Sequence, residues 1–427
     1  MQSQKTPRSR VGRARVTRLL MAVVVDVTPL RASHGFRWLY AGQVVAHLAR
    51  QLLVVAVPYQ VFVLTDSSLL VGVVGLVQIA PLIGCAILGG AAADTFDRRR
   101  VLMIVGLLMS VVSSALAVNA GPSAALWPIF VLIAVNAGLT GVESPTRAAI
   151  IPSLVAPGQL PSAFALNATL NQTAQVVGPA LAGLLIARLG IGAAYWASAA
   201  ASLGAVLALI PLGPRKPEGA GARITVGAIV EGWRYLRGVR LLQQLMLIDL
   251  NAMVFGMPRA LFPVIGTVVL GGDATTVGML HAAPGAGALA GALTTGWVSA
   301  VRRQGRVVVL GVCVWGLAIV GFGVTRNVPV ALALLAIAGA GDVMSNVFRN
   351  ALLQTAIPDA LRGRITAFKV ALSGGGPHLG DAEAGTVAAL TTPTVSVISG
   401  GVASVAGAIL IAWRGRALWE QTTDPLR

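Results

Sequence analysis

The chain of 427 residues is 56% hydrophobic, only 11% charged, and carries a formal net charge of +17. No soluble domain of that length hides so much apolar surface, so the composition excludes a soluble globular protein and indicates a polytopic membrane protein. Nucleic acid is excluded as a partner as well, because the basic residues fall in short clusters between apolar runs, which is how topology is set in a bilayer.

Residues 1–35 form a basic arm with Lys5, Arg8, Arg10, Arg13, Arg15, Arg18 and Arg31. Its apolar piece, 19–25, is too short to span, and no small-residue cleavage site precedes a mature soluble domain. The arm is expected to be a cytoplasmic tail lying on anionic lipid. Twelve apolar runs follow, at 38–64, 69–90, 101–120, 125–149, 161–189, 193–212, 242–266, 276–298, 307–324, 328–353, 365–390 and 395–413. Each is close to the ~20 residues that cross the hydrocarbon. Cys85 and Cys313 lie inside such runs, form no disulfide framework and have no metal-ligand spacing.

With twelve spans both termini share one side. That side holds the arm, Arg98–Arg100, Arg215, Lys216, Arg223, Arg234, Arg237, Arg240, Arg302, Arg303, Arg306, Arg362, Arg364, Arg414, Arg416 and Arg427; the opposite loops hold little beyond Arg188 and Arg326. The termini and the long middle loop are therefore expected in the cytoplasm. The middle stretch PRKPEGAGA, 214–222, reads as a linker, and 230–237 as a basic amphipathic helix at the membrane surface. The domain plan is an arm (1–35), a six-helix bundle (36–213), a linker (214–241), a second bundle (242–413) and a tail (414–427).

The two bundles repeat each other. Gly72 and Gly278, Gly90 and Gly296, Arg100 and Arg306, and Pro152 and Pro358 are each 206 residues apart. Such spacing predicts two halves in parallel orientation, with a solute site between them near the bilayer midplane.

Ionisable and amide groups inside the spans mark candidate function, since each costs several kcal/mol at membrane depth unless paired or hydrated. Gln43, His47 and Arg50 share one helical face, Asp342, Asn346 and Arg349 repeat that spacing, and Asn167, Asn171 and Gln175 form a third stripe running into Gly178-Pro179. Three stripes predict a shared wet cavity, the competing reading being hydrogen bonds between helices. Arg349 lies near the cytoplasmic end and also fits a snorkelling role. Asp249 and Asp381 are the other buried acids: Asp249 fits a proton site or a gate ion pair, and Asp381 and Glu383 could instead meet Lys369 or His378. Glu143 and Arg147, at i and i+4, could pair with each other.

The segment GAAADTFDRRR, 90–100, packs small residues, two acids and three arginines where the second span reaches water. It resembles the loop signature of the major facilitator superfamily, with an ending most like the enterobactin-exporter branch. Further resemblance lies in FRWLYAGQ, GWRYLRG, GRITAF and LGDAEAG, and in GPALAG (178–183), a partial match to the exporters' fifth-helix motif in which Ala182 replaces a glycine. The second copy of the loop is degraded, with Ala300 where Asp94 would be. The resemblance covers 36–413. It implies an all-α fold of twelve transmembrane helices in two six-helix bundles, both termini cytoplasmic, rocking about a midplane cavity. It also implies a proton-coupled exporter of a siderophore such as enterobactin or of a drug; alternatives are a macrolide or multidrug pump and a lysophospholipid flippase. On that reading Asp342, Asp381 or Asp249 carries the proton. Arg50, His47 and Asn167, with Gln43, Asn171, Gln175 and Asn346, meet the solute. Gly90, Asp94, Asp97, Arg98, Arg99, Arg100, Glu143 and Arg147 form an inner gate that is locked when the pump faces outward, and Gly178 and Pro179 kink the fifth helix. No cofactor or metal is implied, the partners are a small solute, protons and membrane lipid, and a monomer is expected. The absence of H-E-x-x-H and G-x-S-x-G argues against an enzyme.

Overall fold

The structure, a computed structural model, describes residues 26–215, 233–293 and 301–419. The basic arm up to residue 25, the linker 216–232, the end of the eighth span at 294–298 and the tail from 420 lie outside the described residues. Among the described residues there is no strand. The long helices, numbered in chain order, are α1 His34–Thr65, α2 Ser68–Thr95, α3 Arg98–Asn119, α4 Leu126–Ile150, α5 Leu160–Leu189, α6 Ile191–Leu209, α7 Arg240–Phe255, α8 Ala274–Leu293, α9 Gln304–Val324, α10 Val328–Ala356, α11 Asp359–Leu390 and α12 Pro393–Arg414. Ten helical segments are long and apolar enough to cross a membrane; α8 and α11, rich in small and polar residues, fall outside that set. Side-chain caps set several boundaries: Ser67 accepts from Leu70 N–H, Asp97 from Arg99 N–H, Asn327 from Val330 N–H and Thr392 from Val395 N–H. Each occupies one of the donors a helix start leaves unpaired.

Span seven departs from the continuous run expected over 242–266. α7 stops at Gly256, and after Pro258 the chain continues as a 3-10 turn, Arg259–Leu261, then Phe262–Val264 and a π turn, Ile265–Val269. Pro258 has no N–H to continue the ladder, and the indole N–H of Trp315 takes the freed carbonyl of Gly256. Irregular backbone at membrane depth is tolerated only where protein or a cavity satisfies it. Of the linker helix, residues 233–238 are helical, with Trp233 against Phe368 of α11 and the Arg237 guanidinium over Trp233.

The halves meet chiefly through two helix pairs, α2 with α11 and α5 with α8. Both crossings are glycine on glycine. A Cβ on Gly72 would lie 2.8 Å from the carbonyl oxygen of Asp381 and 3.2 Å from Cα of Gly385, and one on Gly278 would lie 2.5 Å from the carbonyl oxygen of Pro179. Only bare backbones approach that closely. Gly72 and Gly278 are the pair that the 206-residue repeat relates, so the two crossings are the two copies of one contact. Both lie near the face opposite the arginine-rich loops. There the buried core is continuous across the halves, joining Val71, Val74 and Ala182 to Leu261, Phe262 and Leu280. At the arginine-rich face each half has its own core instead, one around Leu102, Ile151 and Leu209 and the other around Leu245, Val308 and Leu352. The halves are joined at the far face and separate at the arginine-rich face.

Candidate functional site

A cavity of about 340 Å³ lies between the halves. Its first-half wall carries Arg50, Gln78, Asn136 and Thr140 among Val54, Val57, Val71, Val74 and Ile133; its second-half wall carries Arg259, His281, His378, Asp381 and Ser373. The break in span seven is what brings Arg259 and Ala260 to this wall. Arg259 Nη2 lies 3.5 Å from Asp381 Oδ2, and the Ala260 N–H donates to Asp381 Oδ1 at 3.2 Å. Behind them His281 stands edge-on to Phe262, ring centroids 4.8 Å apart.

Arg50 occupies the inner end of a first-half cluster. Its Nη2 is 3.1 Å from His47 Nδ1 and its Nη1 is 3.8 Å from Glu143 Oε2, and Glu143 also pairs with Arg147 one turn along α4. Beside this cluster is a pocket of about 30 Å³ lined by Gln43, Asn136, Ser202 and the three charged groups, room for roughly one water. Two guanidiniums share one carboxylate here, so the cluster carries surplus positive charge at the cavity's edge.

A second cluster lies inside the other half. Arg349 Nη2 is 2.7 Å from Asp249 Oδ1, its Nη1 donates to Ser345 Oγ at 3.3 Å, Asn350 donates to Asn346 at 2.8 Å, and Lys369 reaches Asn350. Arg349 thus does not snorkel; its side chain is 5% exposed and paired, since leaving a buried guanidinium alone costs several kcal/mol. Asp342, half-buried on the same helix, has no hydrogen bond or ion pair among the described residues.

The three polar stripes do not share one cavity in this conformation. Of the residues they comprise, Arg50 alone lines it. Gln43 is 1% exposed with Nε2 unbonded, Asn167 has its Oδ1 unbonded, and Gln175 donates to Asn171 and Gln172 along its own helix. Spacing fixes the face of a helix but not the depth at which the opposite wall recedes. Asp381 meets Arg259, not Lys369. Gly178 and Pro179 are buried where α5 packs on Gln51 of α1 and Gly278 of α8.

At the signature loop the arginines cap helices. Arg98 donates to the carbonyls of Ala93 (3.0 Å) and Ala149 (2.9 Å), and Arg99 to those of Leu209 (2.9 Å) and Ile210 (2.8 Å). These are C-terminal carbonyls of α2, α4 and α6, which have no intrahelical donor and sit at the negative end of the helix dipole. Asp97 Oδ1 accepts from the backbone N–H groups of Arg99 and Arg215. Asp94 and Arg100 are exposed, a Cβ on Gly90 would meet nothing within 4 Å, and Asp94 has no ion pair among the described residues. The four-residue charge cluster expected for the outward-facing conformation is not assembled among the described residues; Glu143 pairs instead with Arg147 and Arg50.

Arg259, His281, Gln78, Asn136 and Thr140 were not singled out in the sequence. Arg259 had a signal: a lone arginine in an apolar run immediately after Gly256-Met257-Pro258.

Two parallel helical halves, a polar cavity at their seam and ten apolar helices define a multi-pass transporter of small molecules in the inner membrane, and not an enzyme. The chain belongs to the transmembrane secretion effector family of the major facilitator superfamily, whose pattern matches residues 25–424. It is similar to the enterobactin exporter EntS of Shigella boydii serotype 4, 27% identical over 380 residues that cover 88% of this chain and 91% of that one. The enterobactin exporter EntS of Citrobacter koseri is 27% identical over 395 residues, covering 92% and 94%. Among solved structures, the peptide transporter POT superposes with a TM-score of 0.73 at 12% identity over 92% of this chain and 96% of that one. The nucleoside transporter NupG gives 0.73 at 12% identity over 89% and 99%. At that identity the likeness concerns the fold.

Proposed function

We propose that this protein is a proton-driven exporter that carries an acidic, amphiphilic small molecule, a siderophore such as enterobactin, outward across the inner membrane. The observation that carries the reading is the charge of the cavity wall. Arg50 and Arg259 line it from opposite halves, while Asp381, the one lining carboxylate among the described residues, is already bonded to Arg259 and Ala260. A catecholate offers charged oxygen acceptors to guanidinium and amide donors, whereas the amine of a macrolide would find no free acid among the described residues of the wall.

On this reading residues 36–213 and 242–413 are six-helix bundles, twelve membrane helices in all. The linker 214–241, the arm 1–35 and the tail 414–427 lie on the cytoplasmic side, and the monomer is the working unit. The halves rock about the cavity between inward- and outward-facing states, and the free energy comes from differential binding of proton and solute to the two. Asp342 is the favoured proton carrier because its carboxylate has no hydrogen bond or ion pair among the described residues; Asp381 and Asp249 serve once their pairs open. His47, Gln43, Asn167, Asn171, Gln175 and Asn346 join Arg50 around the solute as the halves move. Gly90, Asp94, Asp97, Arg98, Arg99, Arg100, Glu143 and Arg147 close the arginine-rich face in the outward state.

Purified protein in liposomes should move enterobactin only when a pH gradient is imposed, and should not move a macrolide. Asp342→Asn should abolish accumulation with an unchanged gel-filtration profile. Gradient-independent movement refutes proton coupling, macrolide movement refutes the charge argument, and full transport by Asp342→Asn removes that residue from the mechanism.

A further inference from the structure

The break in span seven, the cavity and the far-face seam converge on one ion pair. The Arg259–Leu261 turn packs against α11 of its own half and against α2 of the other. Asp381, which holds that turn through the Arg259 guanidinium and the Ala260 N–H, is itself part of the seam. Its carbonyl oxygen lies 2.8 Å from where a Cβ on Gly72 would be, and its own Cβ lies 3.1 Å from the corresponding position on Gly75. The pair is partly wetted from the cavity, with 29% of the Arg259 side chain and 15% of that of Asp381 exposed. Among the described residues, no other charge pair in the cavity wall touches a helix of the opposite half at its crossing point. The first-half cluster is internal to α1 and α4, and the Asp249 cluster is internal to the second half.

We infer that Arg259 is the positioning residue that couples cavity occupancy to the far-face gate. While it holds Asp381, the broken end of span seven is fixed as a wedge between α11 and α2, and the glycine crossing at Gly72 and Gly385 stays shut. An acidic group arriving in the cavity competes with Asp381 for the guanidinium, and a proton on Asp381 weakens the same bond. Either event frees the turn and favours separation of α2 from α11. Among the described residues, the charged and titratable groups that line the cavity with the pair are His378 on α11, His281 on α8 and Arg50 on α1; α2 lines it with Val71, Val74, Gly75 and Gln78, none of them ionisable. Arg259 therefore has one carboxylate partner to lose, and among the described residues no second acid in the wall replaces it. The inference rests on the alternating-access reading above, but its readout does not require transport.

The test is distance measurement between spin labels at Ser67→Cys and Leu390→Cys, the far-face ends of α2 and α11, with Cys85→Ala and Cys313→Ala as background, on the full chain in liposomes. The parent should be mostly far-closed. Arg259→Gln and Asp381→Asn should each raise the far-open to far-closed ratio about five- to thirtyfold, the range that 1–2 kcal/mol commands. The double variant should add little to either, and Arg259→Lys should recover most of the parent distribution. If Arg259→Gln does not fold, Asp381→Asn carries the test alone. Unchanged distances in the folded variants overturn the inference and leave the transport reading standing. A failed transport assay with shifted distances removes the transport reading and leaves the latch.

Discussion

Removing one partner of the Asp249–Arg349 pair tests whether the second half is held together by charge. The two side chains are 3% and 5% exposed and 2.7 Å apart. Asp249→Asn strands a guanidinium whose remaining side-chain partner is Ser345 Oγ at 3.3 Å. Breaking such a pair from one side typically costs about 3–5 kcal/mol, because the surviving charge stays buried without compensation. Replacing both members with apolar groups of similar volume is neutral or stabilising in comparable cases, so Asp249→Leu with Arg349→Met should restore most of the loss. Equilibrium unfolding of the purified protein by SDS titration, read by tryptophan fluorescence, gives the four corners of the cycle. The expected coupling is about 3 kcal/mol. If Asp249→Asn unfolds within about 1 kcal/mol of the parent, the pair does not brace the bundle. Asp249 would then be free to exchange protons, the other role its place in the span allows.

Arg98→Ala and Arg99→Ala each remove two hydrogen bonds from a charged donor to helix-end carbonyls and should each destabilise the first half by roughly 1–3 kcal/mol; Arg100→Ala, exposed one residue on, should cost next to nothing in the same unfolding assay. Gly278→Leu should prevent α5 and α8 from closing on each other, leaving the far face open. Transport should stop, and a cysteine placed at Gln78 in the cavity should become reactive to a membrane-impermeant thiol reagent added from the far side; parent-like protection of that cysteine would refute the assignment of the crossing as a gate.

The helical, many-span architecture was legible because hydropathy acts along the chain and survives without knowledge of contacts. The repeat was legible too: the 206-residue offset that pairs Gly72 with Gly278 turned out to pair the two glycine crossings between the halves. The break at Gly256–Pro258 was written in the sequence but masked, because an apolar run reports burial and says nothing about helical continuity. The site was less legible. Arg259 and Asp381 stand 122 positions apart, and no local spacing links a residue exposed by a helix break to one at a glycine crossing. The stripe residues were correctly placed on one face in α1, yet His47 and Gln43 sit away from the cavity while Arg50, one turn further in, reaches it.

The 206-residue offset also relates Glu143 to Arg349, so an ion pair between the first and fourth helices recurs in each half at an equivalent fourth-helix position with its polarity reversed, though its first-helix partners, Arg50 and Asp249, are not equivalent. In the first half the acid is on the fourth helix and the cation on the first; in the second half the cation is on the fourth and the acid on the first. Both pairs lie within a half, and rocking the halves as rigid bodies leaves each of them intact. They can brace a bundle in either conformation but cannot by themselves tell one conformation from the other. An element that biases the equilibrium must contact both halves and be altered by the solute or the proton. Among the described ion pairs, Arg259–Asp381 meets that condition: it faces the cavity on one side and bears on α2 through the Arg259 turn and the Asp381 backbone on the other. The asymmetry of the repeat then has a physical use, since a seam with one charged latch opens from a single event, whereas two equivalent latches would each have to be released.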